Sequence, residues 1–521
     1  MATDTDGQFA ATVVCSPPHF ASGGISNITL LVSVYPYQLP CISVSVLYIH
    51  TADLLTTHSS MSDMSNELGS KCSFEEITSS HCILGITPDG ADQVPSLAPS
   101  FFNDIWQQQP ALFQASHQKV DAGGALSEAL RMNWNDVANL INHCRQSDTQ
   151  PLFFQQGKPV IDPHGLYSSN PYAAYLDACS IIVNHADFHS PQLANLCNDL
   201  QKTFPHTYAN CYITPPNGHA VEAHADDRDV LVIQILGQKM WRVYKNVPIE
   251  LPFDKEQVGK NGLKVPPSTV EGELCFGKEI VLHPGDVLYM PRGFVHEATT
   301  ETEPSIPSFH ATIAIATHDW CLSVVLSESI LKVLNSVAEF RKALPIGPSV
   351  EYNTSTSTTP LKQQLNIAMS LIQRNVTTES IEQNLKAKYD THNFRAKACR
   401  DDMTNSILQA KKRKRSEEYV GYNAVSQLVF ESKIRVSTPD ERESVVIEEG
   451  QLRGLTVREE TCPLLMGMLD ELKQDPSRIV MVKDMRLLNN VKGSNNMICD
   501  FTLLSFARCC VELGALAVAS F

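Results

Sequence analysis

A histidine and an aspartate one residue apart, in His224-Ala-Asp226, stand just ahead of an apolar run that begins near Asp229. In an extended chain alternate side chains share a face, so both can point into one cavity while Ala225 points away. Imidazole and carboxylate are the ligand types of mononuclear non-haem Fe(II) sites, which take a third protein ligand and leave positions open for a co-substrate and oxygen. His296 is the best third candidate. It ends the run His283-Pro-Gly-Asp-Val-Leu-Tyr-Met-Pro-Arg-Gly-Phe-Val-His296, whose residues predict a turn at 284–286, a strand over 287–290 and a second turn at 291–293. A lone His-x-Asp recurs by chance in many chains, so its weight comes from this downstream pattern and from polar residues in the neighbouring strands.

Asn210 and Tyr212 lie two apart on a strand preceding His224, and Lys239 follows the strand after Asp226. A lysine inside a barrel needs an anionic partner. The distal carboxylate of 2-oxoglutarate is such a partner, and a tyrosine hydroxyl beside it would complete the grip. His310 and Thr312 form a further inward pair, with Thr312 a donor to the co-substrate; ordinary strand residues are an equally good reading of both. Asp227 is either an orienting group for a ligand or a solvated turn carboxylate.

The elements that must position these residues are short. Runs at 208–214, 230–236, 240–244, 287–290 and 309–316, split by Pro, Gly and Asn, predict a sandwich or barrel. Helical spacing precedes them, at Phe101, Phe102, Ile105 and Trp106 and again at Trp134, Val137, Leu140 and Ile141. After His318 an apolar stripe including Leu322, Val325, Leu326, Ile330, Val333 and Leu334 runs to Leu344 and requires a partner surface. A Ser/Thr-rich linker at 349–360, a second helical stretch over 361–401, five consecutive cations at 411–415 and a mixed segment over 419–521 follow. The expected division is an extension of unassigned function at 1–95, a catalytic domain at 96–317, a helical region with linker at 318–410, and the basic run with a small domain at 411–521.

A chain of 521 residues with 43% hydrophobic residues can bury more than one core, and its net charge of -16 favours a basic protein partner. Acidic residues outnumber basic ones from 417 onward, which argues against direct nucleic-acid binding there. The 15 cysteines form no C-x-x-C pair, as expected of reduced thiols. Residues 28–49 are apolar, but Pro36, Gln38 and Pro40 interrupt them, so short strands or an extension are expected rather than a membrane span. Residues 1–7 lack the basic region of a secretory signal.

Taken in order, Asn210-Cys-Tyr212-Ile-Thr-Pro-Pro216, His224-Ala-Asp226-Asp227, Gln234-Ile-Leu-Gly-Gln-Lys239-Met-Trp241-Arg-Val-Tyr244, and Pro284-Gly-Asp286 through His296 resemble the ribosomal oxygenase branch of the JmjC proteins. The resemblance includes Phe101-Phe-Asn-Asp-Ile-Trp106 with Pro110, and Ser308-Phe-His310-Ala-Thr312, and covers residues 100–320. It implies an α+β chain: a double-stranded β-helix (cupin/JmjC) barrel with flanking helices, a helical dimerisation region and a C-terminal winged-helix-like domain. It also implies an Fe(II)- and 2-oxoglutarate-dependent dioxygenase with His224, Asp226 and His296 on the metal and Lys239, Tyr212, Asn210 and Thr312 around the co-substrate. The substrate would be a basic protein, a ribosomal protein hydroxylated at histidine, with histone lysine demethylation as the alternative and a non-catalytic nuclear scaffold as a more distant one. A homodimer in the nucleus or nucleolus is expected, with 411–415 as the nuclear address. One departure is Ala314, at a position where the family usually carries a hydroxyl.

Overall fold

The computed structural model describes residues 101–519, apart from 116–124, 146–149, 161–165, 261, 302–305, 344–359, 417–427, 439–446, 449–450, 453–461 and 489–497. The extension at 1–95, with the apolar segment 28–49, lies outside the described residues. Among the described residues no helix is long and apolar enough to cross a membrane.

Eight strands form one antiparallel sheet: β1 (Ala111–Phe113), β2 (Leu152–Gln155), β3 (Lys158–Pro159), β4 (Ser180–Val183), β5 (Thr207–Thr214), β6 (Asp229–Leu236), β9 (Val287–Met290) and β11 (Ser308–Ile315), in the order β1-β9-β6-β11-β5-β4-β2-β3. Three others, β7 (Lys239–Val243), β8 (Ile280–Leu282) and β10 (His296–Thr299), make a second antiparallel sheet in the order β10-β7-β8. The period-two alternation of the long strands divides their side chains between two layers. Leu231, Ile233 and Ile235 of β6 join Ala209, Cys211 and Ile213 of β5 and Phe309, Ala311 and Ile313 of β11 in the main apolar core. Helices α1 (Ala125–Leu130), α2 (Trp134–Arg145), α4 (Pro171–Leu176) and α5 (Pro191–Leu200), with the short α3 (Leu166–Ser169) between them, cover that face. Val230 and Val232 point the other way and pack with Trp241, Val243, Ile280 and Leu282 of the second sheet. The two sheets therefore close over an inner layer, the sandwich or barrel expected from the runs and the cupin arrangement that the resemblance implied.

All five expected strands are present within a residue of their expected bounds, and the helical signal at 134–141 falls in α2. The sequence reading did not single out β1, β4, β8 and β10, each only three or four residues long. The short α6 (Pro267–Val270) lies in the loop between β7 and β8.

Beyond the barrel, α7 (Leu322–Asn335), α8 (Pro360–Asn375) and α9 (Thr378–Ser416) form the helical region; the helical stretch expected over 361–401 is two helices, broken between Asn375 and Thr378, and runs on to Ser416. Arg400 of α9 is fully buried against the barrel, its Nε 2.8 Å from Asp187 Oδ2 and its Nη1 2.9 and 2.8 Å from Asn198 and Gln201. The C-terminal segment contributes β12 (Lys433–Val436), the hairpin β13 (Ile447–Glu448) and β14 (Gln451–Leu452), α10 (Cys462–Gln474), β15 (Val480–Met481), α11 (Asp500–Glu512) and β16 (Leu516–Val518). Its three-stranded sheet runs β15-β12-β16. From Phe501 to Cys510 α11 is buried, and Phe501, Leu503 and Phe506 belong to the same apolar core as the barrel helices. Arg508 donates to Asn142 Oδ1 at 3.1 Å and to the Tyr172 hydroxyl at 2.6 Å, tying α11 to α2 and α4.

Candidate metal and co-substrate site

His224, Asp226 and His296 come together, with one candidate ligand atom from each lying within 4.8 Å of the others. His224 and His296 face each other across an antiparallel bridge: the His224 amide donates to the His296 carbonyl at 3.1 Å and the His296 amide returns the bond at 2.9 Å. The His-x-Asp segment was expected on a strand, but outside this bridge it is a loop. Its amide at Ala225 donates to the Val258 carbonyl, and the Asp226 carbonyl accepts from Gly293 at 2.9 Å. The segment is still extended enough to aim His224 and Asp226 together.

Both imidazoles are oriented by main-chain carbonyls. His224 Nδ1 lies 2.7 Å from the Glu222 oxygen and His296 Nδ1 3.1 Å from the Phe294 oxygen. A carbonyl only accepts, so each Nδ1 carries the proton and each Nε2 presents a lone pair. Those Nε2 atoms lie 3.8 Å from Asp226 Oδ1 and Oδ2 respectively. Burial, reinforced by Lys260, holds His224 well below the usual histidine range, and burial also lowers His296, so both are neutral donors. Burial alone would raise Asp226, but Lys260 and the two imidazoles keep it well below the usual carboxylate range. Two neutral imidazoles and one ionised carboxylate fit a first-row dication.

The turn before His296 requires glycine at 293, where φ is +92° and a Cβ would fall 2.6 Å from the Ile249 carbonyl oxygen. Asp286 fixes the preceding turn by accepting from His283 at 2.8 Å and from Ala115 at 2.9 Å.

The cavity beside the triad is lined by Tyr212, Lys239, Trp241, His310 and Thr312. Lys239 is 2% exposed; its ammonium donates to Thr214 Oγ1 at 2.9 Å, and burial pulls its pKa down to about 7. The Tyr212 and His310 rings stack at 4.8 Å, as the β5–β11 register places them opposite one another. His310 Nδ1 and the Trp241 indole nitrogen are buried without a hydrogen-bond partner. A buried ammonium with one neutral acceptor, beside these unpartnered nitrogens, fits an anionic ligand that supplies acceptors.

Other candidates sit elsewhere. Asn210 lies outside the cavity lining and accepts from the His185 amide at 3.1 Å, which fixes the turn after β4. Ala314 is buried on β11, also outside the lining. Asp227 is not a solvated carboxylate; it is buried and paired with Arg228 at 2.6 and 2.7 Å. Sequence reasoning did not assign a role to Trp241 or to Lys260, whose ammonium is 2.5 Å from Asp226 Oδ1.

Residues 182–320 match the JmjC domain family. Among curated proteins, the chain is 29% identical over 263 residues to the bifunctional lysine-specific demethylase and histidyl-hydroxylase NO66 of Drosophila persimilis, covering 48% of this chain and 35% of that one. It is 27% identical over 255 residues to ribosomal oxygenase 1 of Rattus norvegicus, covering 47% and 40%. It thus spans well under half the length of these relatives. Among solved structures, Escherichia coli ribosomal oxygenase YcfD aligns over 82% of this chain and 99% of that one, at 15% identity and a TM-score of 0.36. The matched residues enclose β5 to β11 and all three candidate ligands, so residues 182–320 form a JmjC domain, and the chain is similar to ribosomal oxygenases.

Proposed function

We propose that the chain is an Fe(II)- and 2-oxoglutarate-dependent dioxygenase that hydroxylates a side chain, histidine, of a ribosomal protein. The observation that carries this reading is the convergence of His224, Asp226 and His296, with both unprotonated Nε2 atoms 3.8 Å from the Asp226 carboxylate. Iron, when bound with 2-oxoglutarate and oxygen, supplies the oxidising chemistry. The chain's own residues do the rest. The Glu222 and Phe294 carbonyls set the tautomers, Lys239 and Tyr212 take the distal carboxylate, and Trp241 and His310 wall the cavity. Thr312 is a further donor on the cavity wall, and Asn210, on the same face of β5 as Tyr212, fixes the turn at His185.

The substrate class rests on two supports: the acidic balance of the chain, which suits a basic polypeptide, and the names of relatives, one pairing lysine demethylation with histidyl hydroxylation and one a ribosomal oxygenase. The two activities differ in product. Hydroxylation adds one oxygen atom to the protein, whereas demethylation removes a one-carbon unit as formaldehyde. Incubating the full chain with ribosomal proteins and, separately, with methylated histone peptides, and reading both by mass spectrometry, should show oxidation of a ribosomal-protein histidine and little formaldehyde. Histone demethylation at a comparable rate would favour the demethylase instead.

A further inference from the structure

The loop between β7 and β8 folds back over the His-x-Asp segment through several independent contacts. Val258 accepts the Ala225 amide at 2.9 Å and packs with Ala225, Tyr244 and Val295. Gly259, at φ +78°, approaches so closely that a Cβ there would fall 2.4 Å from the Ala223 oxygen and 2.7 Å from His224 Cα. Its amide bonds to the Leu263 carbonyl at 2.7 Å, and Leu263 returns a bond to the Lys260 carbonyl at 3.0 Å, closing a tight turn. The Lys260 side chain leaves this turn and places its ammonium 2.5 Å from Asp226 Oδ1.

We propose that Lys260 competes with the metal for Asp226: its ammonium shares the carboxylate and holds the site weaker and more exchangeable than its three ligands would make it. This rests on reading His224, Asp226 and His296 as the metal triad. A neutral partner that only orients a ligand strengthens metal binding, and its loss costs about 10- to 100-fold in affinity. A cation acts in the opposite sense. The lone pair given to the ammonium is less available to a metal, and the ammonium repels a dication a few ångströms away. The Lys260 and Asp226 side chains are 33% and 20% exposed, so solvent screens this repulsion only in part. Without metal, the same contact supplies the countercharge that a carboxylate between two neutral imidazoles needs. Lys260 therefore stabilises the unloaded protein and opposes loading.

The test uses the full chain stripped with chelator and titrated with Mn(II), following free Mn(II) by electron paramagnetic resonance and unfolding by thermal melt. Lys260→Met should bind Mn(II) about 10-fold tighter, the scale set by repulsion of a dication even at bulk-water screening. Its metal-free form should melt lower, and its rise in Tm on adding Mn(II) should exceed that of the unaltered chain. Lys260→Arg should keep the original affinity. Binding by Lys260→Met that is equal to or weaker than that of the unaltered chain overturns the proposal. No Mn(II) or Fe(II) binding by the unaltered chain would instead remove the triad reading, and this inference with it.

Discussion

The lysine at 239 is the residue on which co-substrate affinity should turn. Its replacement by Ala removes a charge-assisted bond, so the KM for 2-oxoglutarate should rise about 10- to 100-fold while metal affinity stays nearly unchanged. Steady-state kinetics beside a metal titration would check both. The pH dependence follows from its pKa of about 7. Below that value the free protein already carries the ammonium; above it, binding the dianion must also take up a proton. The KM should therefore climb as pH rises from about 7 toward the ordinary lysine range, and Lys239→Arg, if it binds, should flatten that slope. A KM independent of pH over that span would show that Lys239 does not bear on the anion. Tyr212 was legible because a period-two strand tells which residues share an inner face, whereas His224 and Asp226 lie on a loop and were singled out by residue type and spacing, and His296 by the turn-strand-turn run before it. Asn210 obeys the same alternation yet serves the turn at His185, because position along the strand, which periodicity does not encode, decides what a side chain meets. Lys260 was not legible, since it acts across 34 residues of chain with no periodic signal to announce it.

At the scale of elements, the long β5, β6 and β11 were readable from their apolar runs, whereas β8 and β10 offer three or four residues and gain their identity only by pairing with β7. Which way α9 docks was also hidden, because a buried arginine looks like any other cation in a polar helix. Arg400 ties α9 to Asp187, and Asp187 also accepts the Ala209 amide of β5 at 3.0 Å. Arg400→Met should leave that carboxylate buried and unpaired and cost about 3–5 kcal/mol of stability. Urea denaturation of the full chain would measure it, and adding Asp187→Asn should recover part of the loss. A shift of the midpoint too small to resolve would show that α9 is held by its apolar contacts instead.

Across the whole molecule, apolar side chains of the helical region are left exposed among the described residues: Leu322 is 69% exposed, Leu365 59%, Ile367 57% and Phe394 77%. The stripe expected from 322 to 344 is only partly absorbed by packing of α7 against α8 and α9, with Val325 its buried hydrophobic residue on α7. Large apolar side chains exposed on α7, α8 and α9 are the basis for expecting a homodimer as the resting assembly. Light scattering at micromolar concentration should give twice the chain mass, and Ile367→Glu should return a monomer; a monomer without any substitution would count against it. The basic run at 411–415 ends α9, and its side chains lie outside the described residues. Its reading as a nuclear address is tested by microscopy of the chain with and without those cations, the intact chain being expected in the nucleus and the altered one in the cytoplasm. The central claim concerns the reaction, and the most direct measurement is conversion of 2-oxoglutarate to succinate by purified protein with Fe(II) and ascorbate. Succinate should form with the unaltered chain and fall to the no-enzyme background with His296→Ala. Succinate formation that survives His296→Ala, or that never exceeds background in the unaltered chain, would contradict the account.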